Sequence, residues 1–169
     1  VKLQTNYSEF SDEEILKILK EVRVIAMVGA SPSERRPSYF VLKYLLQKGF
    51  EVIPVNPRIT NQKIAGQLVY KTLADIPVRV DMVNIFRNSQ AAGQYCDQAI
   101  EIGAKVVWMQ LGVRNEDGAT RARKAGLSVI MDRCPKIEYG RFSGEANWYG
   151  YNTRRITARA EILKPKTRV

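Results

Sequence analysis

The chain reads as an α/β protein, an open parallel sheet of five strands with helices on both faces. Two observations carry this expectation. Three times a helical segment ends at a glycine and an apolar strand follows at once: QKGFEVIPV at Gly49, EIGAKVVWM at Gly103 and KAGLSVIMD at Gly126. Glycine suits the left-handed residue just past a helix C-terminus, and a continuous apolar run suits a strand buried on both faces. Two further runs of that kind, VRVIAMV and VDMVNIF, complete the set.

Taken in order, Ser11-Asp12-Glu13-Glu14 forms a capping box ahead of Ile15, Leu16, Ile18 and Leu19, whose spacing predicts an amphipathic helix to about Glu21. Strands are predicted over 22–28, 51–55, 80–86, 105–109 and 127–131, with helices over 37–48, 89–102 and 115–125. The stretch ITNQKIAGQLVYKTLADIP is a longer crossover with a weaker helical pattern. Alternating strands and helices imply right-handed crossovers. The expected strand order is 3-2-1-4-5, with a crevice between strands one and four. Ligands of such sheets collect beyond the C-terminal strand ends. That singles out the loops 29–38, 56–58, 86–88 and 110–112.

Composition narrows the chemistry. The chain has 169 residues, a net charge of +10 and 45% hydrophobic residues, and no apolar run is long enough to cross a membrane. Residues 136–169 hold eight Lys/Arg against three Asp/Glu, so half the excess charge sits in the last fifth. There is no histidine, which removes the commonest general acid/base and metal ligand. Neither a metal site nor catalysis is expected. The two cysteines, Cys96 and Cys134, make no disulfide framework, and a cytoplasmic setting is the expectation.

Against the dinucleotide fingerprint G-x-G-x-x-G, the first loop holds Gly29, Ser31 and Glu34, so only the tight-turn glycine remains. Ser31, Ser33 and Ser38 offer short hydroxyls, Pro37 opens a helix, and Arg35 and Arg36 supply charge that can grip phosphate. Arg36, next to Pro37 and Ser38, is the better candidate of the two. Where a nicotinamide dinucleotide site needs a carboxylate after strand two, this chain has Asn56-Pro57-Arg58. An adenine nucleotide with an extra ribose phosphate fits that substitution, and both NADP and coenzyme A answer the description.

The motifs VGASPSERRPSY, VIPVNP, VNIFR, VVWMQLGV and MDRC, in this order over about residues 12–141, resemble those of the small coenzyme-A-binding proteins with a Rossmann-like fold. These are similar to the coenzyme-A-binding domain of succinyl-CoA synthetase. The resemblance implies that Gly29, Ala30, Ser31 and the following Arg-Ser turn, including Arg36 and Ser38, face a diphosphate. It implies that Asn56 and Pro57 border the nucleotide, with Arg58 on the ribose-phosphate side. It further implies that Phe86 and Arg87 cover adenine or pantetheine, and that Gln110 and Gly112 line a pantetheine channel. Within the larger enzyme family a histidine from an additional domain carries phosphate. With no histidine here, ligase activity is not expected.

The resulting expectation is a non-catalytic module for coenzyme A or an acyl-CoA, with one ligand-binding domain over 1–141 and a basic, aromatic extension over 142–169. An NADP-dependent reductase is the first alternative. The second is polyanion or nucleic-acid binding through Trp148, Tyr149, Tyr151, Arg154 and Arg155, although docking of that extension on a second copy of the chain is the stronger expectation. Trp108 is expected in the core, Gln110 at the crevice, and Cys134 as a small buried residue rather than a redox partner for a thiol.

Overall fold

The computed structural model describes residues 9–145, 163 and 165–167. Five parallel strands form the sheet: β1 (Val24–Val28), β2 (Glu51–Val55), β5 (Met82–Ile85), β6 (Val106–Met109) and β7 (Ser128–Ile130). A two-stranded hairpin, β3 (Lys63–Ile64) with β4 (Gln67–Leu68), stands apart from it. The helices are α1 (Asp12–Glu21), α2 (Pro37–Gln47), α3 (Ser89–Glu101), α4 (Glu116–Lys124) and α5 (Pro135–Ser143). The expected α/β architecture is present, and each strand of the main sheet buries residues from both faces.

The order of the strands corrects the expectation. The sheet runs β2-β1-β5-β6-β7, so the third main strand lies beside β1, not outside β2. The switch of winding therefore falls between β1 and β5 instead of between the first and fourth strands. The reason lies in the crossover. Its chain folds into the β3–β4 hairpin and a short 3-10 turn at Leu73–Asp75, and it lays Tyr70 along the outer edge of β2. The Tyr70 N–H donates to Pro54 O, and Asn56 N–H donates to Tyr70 O. The crossover is thereby held at the C-terminal end of the β2 edge, and the next strand pairs on the far side of β1.

Local signals explain the helices. Ser11 caps α1 by accepting from the Glu14 N–H at 3.1 Å, and Ile15, Ile18 and Leu19 are buried. Helices α3 and α4 pack through small residues, Ala92, Gly93, Ala99, Gly118, Ala119 and Ala122. The fit is close: a Cβ on Gly118 would lie 2.9 Å from the Gly93 Cα. Helices α1 and α2 pack instead against α5, a helix the sequence pattern does not announce. Its inward side carries Glu138 and Tyr139. Glu138 accepts from buried Arg133 at 3.0 Å and from Arg141 at 2.6 Å, and Arg141 also pairs with Asp12 on α1.

The base of the sheet is closed by Asp81, whose carboxylate accepts the N–H groups of Arg23 and Val24 at 3.0 Å each. Residues 163 and 165–167 return to this end. Leu163 is buried with its N–H on Phe142 O, and Lys166 N–H donates to Lys48 O at 2.8 Å. Trp148, Tyr149, Tyr151 and most of the basic residues of the expected extension lie outside the described residues.

Candidate functional site

Parallel pairing brings the C-terminal ends of all five main strands to one rim of the sheet. The loop after β1 begins at Gly29, with φ of +79°, whose N–H donates to Val55 O at 3.0 Å. A side chain is excluded there, because a Cβ would come within 2.3 Å of Phe86 O. Ala30 follows, fully buried. Next, Ser31 N–H donates to Ser38 Oγ at 3.1 Å, and Ser31 Oγ accepts from Ser33 N–H at 3.2 Å. Ser38 is itself buried in the first turn of α2.

Helix α2 has Arg36 as its N-cap and Pro37 at its first position. It has no side-chain cap and no acidic residue in its first turn. Helices α1, α3 and α4 each carry a side-chain cap, from Ser11, Asn88 and Asn115. Pro37 has no N–H and the Tyr39 N–H donates to Arg36 O at 3.0 Å, so the uncapped opening offers the Ser38 N–H and the positive end of the helix dipole to the rim, a setting that favours anions.

The second loop is built around Asn56. Its Nδ2 donates to Ala30 O at 2.9 Å, and its Oδ1 accepts from Arg58 N–H at 3.0 Å. Pro57 and Arg58 are exposed. In the third loop Phe86 is half-buried against the core, while Arg87 is exposed and runs past Gly29. Arg35, Arg36, Arg58 and Arg87 are thus all exposed on one rim, and none forms an ion pair among the described residues.

The fourth loop differs from expectation. Gln110 does not face the crevice; it is 5% exposed. Its Nε2 reaches Cys134 Sγ at 3.7 Å and its Oε1 accepts from Leu111 N–H. A buried amide has to find partners, and the chain that follows β7 supplies one. Leu111 and Gly112 are the exposed residues here. Gly112 N–H donates to Asp132 Oδ1 at 2.7 Å. Asp132, which ties the two loops together, holds a φ of +54°. Such a backbone at a non-glycine residue marks a position under strain, and no sequence pattern reveals it.

Burial pushes the Cys134 thiol up, and it pushes Cys96 up to about 11, so neither is an activated nucleophile. Glu138 is locked between two arginines. Among the described residues no group of three or more His, Cys, Asp or Glu side chains could hold a metal. Trp108 is buried, its Nε1–H donating to Arg133 O at 2.8 Å, as a core residue should be.

Comparison with known proteins places the chain as a whole. The uncharacterized protein YneT of Bacillus subtilis is 36% identical over 129 residues, covering 76% of this chain and 94% of that protein. The alpha subunit of the ADP-forming acetate–CoA ligase I of Pyrococcus furiosus is 31% identical over 129 residues, covering 68% of this chain. The match spans only 28% of that subunit, so the chain is similar to one part of it. Among solved structures, a hypothetical protein from Pyrococcus horikoshii superposes with a TM-score of 0.76 at 37% identity, covering 81% of this chain and 95% of the other. The profile of the CoA binding domain matches residues 23–140, well over half of the sequence, and the chain belongs to that family.

Proposed function

We propose that this chain binds coenzyme A or an acyl-CoA as a non-catalytic module. One observation carries the reading beyond the family match: four exposed arginines, without an ion pair among the described residues, and an uncapped, acid-free helix N-terminus share one rim of the sheet. Ser31, Arg36 and Ser38, with the Ser38 N–H at the start of α2, would hold a diphosphate beside Gly29 and Ala30. The 56–58 turn would hold the phosphorylated ribose through Arg58, with Pro57 alongside. Phe86 and Arg87 would cover adenine or the pantetheine arm. Gly112, with Leu111, would border the path of that arm, while Gln110 shapes the loop from beneath.

Two buried free cysteines fit a reducing, cytoplasmic setting. The test is calorimetry with coenzyme A, acetyl-CoA, NADP and NAD at moderate salt. Saturable binding of coenzyme A in preference to both dinucleotides is expected. Binding of NADP without coenzyme A would turn the assignment toward a reductase-like protein.

A further inference from the structure

We infer that Asn56 is a positioning residue that joins the two phosphate-facing parts of this rim into one unit, and that recognition of the ribose phosphate depends on that junction. The inference rests on the function proposed above and assigns to Asn56 a role other than direct contact.

Both ends of the side-chain amide are engaged within the protein. Its Oδ1 accepts from Arg58 N–H at 3.0 Å, closing the turn that presents the Arg58 side chain, and its Nδ2 donates to Ala30 O at 2.9 Å. The backbone of Asn56 is also held, its N–H on Tyr70 O at 3.0 Å and its carbonyl accepting from Ile59 N–H at 3.3 Å. From Ala30 the route continues through the next residue, where Ser31 N–H meets Ser38 Oγ in the first turn of α2. A continuous hydrogen-bonded path therefore runs from the Arg58 turn to the uncapped helix.

The path has an energetic consequence. An adenine nucleotide with phosphates on both arms would need Arg58 and the α2 opening at a fixed separation. A pre-set separation lets both grips act together, whereas a free Arg58 turn must be ordered at each binding event. Only a donor amide at position 56 can satisfy Ala30 O and the Arg58 N–H at once. Aspartate keeps the acceptor and loses the donor; serine is too short to span the gap.

The test compares coenzyme A with dephospho-coenzyme A, which lacks the ribose phosphate, by calorimetry on the wild type, Asn56→Ser, Asn56→Asp and Arg58→Ala. The wild type is expected to favour coenzyme A, and Arg58→Ala to lose that preference. Both Asn56 variants should shrink the affinity ratio by about tenfold, equivalent to roughly 1.4 kcal/mol. Adding Asn56→Ser to Arg58→Ala should change the ratio no further. A general structural role would weaken both ligands alike and leave the ratio intact; that result in the two Asn56 variants overturns the inference alone. Wild-type protein that binds neither ligand overturns the proposed function, and the inference with it. Circular dichroism and thermal melting verify that each variant is folded.

Discussion

The carbonyl oxygen of Phe86 lies directly against Gly29, so that a Cβ at position 29 would stand 2.3 Å from it, well inside any real contact. This approach locks the loop after β1 to the loop after β5, next to the point where the winding of the sheet reverses.

Gly29→Ala should therefore destabilise the fold on two grounds. The φ of +79° disfavours any side chain, by about 1–3 kcal/mol, and the backbone collision with Phe86 adds to it. Urea unfolding should show a lower midpoint with an unchanged slope. A midpoint equal to the parent's would contradict the packing described.

Arg36→Ala should weaken coenzyme A binding without loss of stability, since the side chain is exposed at an uncapped helix start. A hydrogen bond to a charged group contributes about 1.5–3 kcal/mol, so affinity should drop roughly 10- to 100-fold. Calorimetry measures the drop, which should shrink as salt rises.

Glu138→Ala removes the anion between Arg133 and Arg141 and leaves a buried guanidinium without it. A loss of about 3–5 kcal/mol is expected in chemical denaturation. The double variant Arg133→Met with Glu138→Leu should recover most of it, because Arg141 keeps Asp12 and the interior loses both charges together.

Asn84 lies within β5, opposite Met27 and Trp108, fully buried with neither end of its amide meeting a hydrogen-bond partner among the described residues. Removing a desolvated polar group with a similar-sized apolar one returns about 1–3 kcal/mol. Asn84→Leu should raise the melting temperature by several degrees. A fall would show that the amide is engaged after all.

Asp81 provides a pH dependence. Burial raises its pKa, but the N–H groups of Val24 and Arg23, together with Lys105, outweigh that and hold it below the usual aspartate value. The unfolded chain thus takes up this proton first. Its stabilisation is complete above the ordinary aspartate range, near pH 4, and fades as pH falls through the lower folded value. Asp81→Asn should lose less stability than the parent between about pH 5 and pH 2. Urea midpoints over that interval decide it, and parallel curves would unlink Asp81 from acid unfolding.

The glycines at 49, 103 and 126 and the Ser11 cap reveal most helices and strands because those signals are local. Strand order is not local. It depends on where Tyr70 lands, and that is decided by a hairpin and a 3-10 turn that read in sequence as weak helix. Helix α5 was hidden for a related reason: its buried Glu138 looks like a solvent residue until Arg133 is placed beside it. The loops of the rim follow from topology, so residues 29–38, 56–58 and 86–87 are found where expected. Gln110 is not, since its partner Cys134 comes from a strand end 24 residues away.

Tyr70 also has a bearing on self-association. Its bridge to Val55 covers the C-terminal end of the β2 border, and β7, at the opposite border of the main sheet, is just three residues long. Stacking of such molecules side by side into fibrils would need a longer template than that.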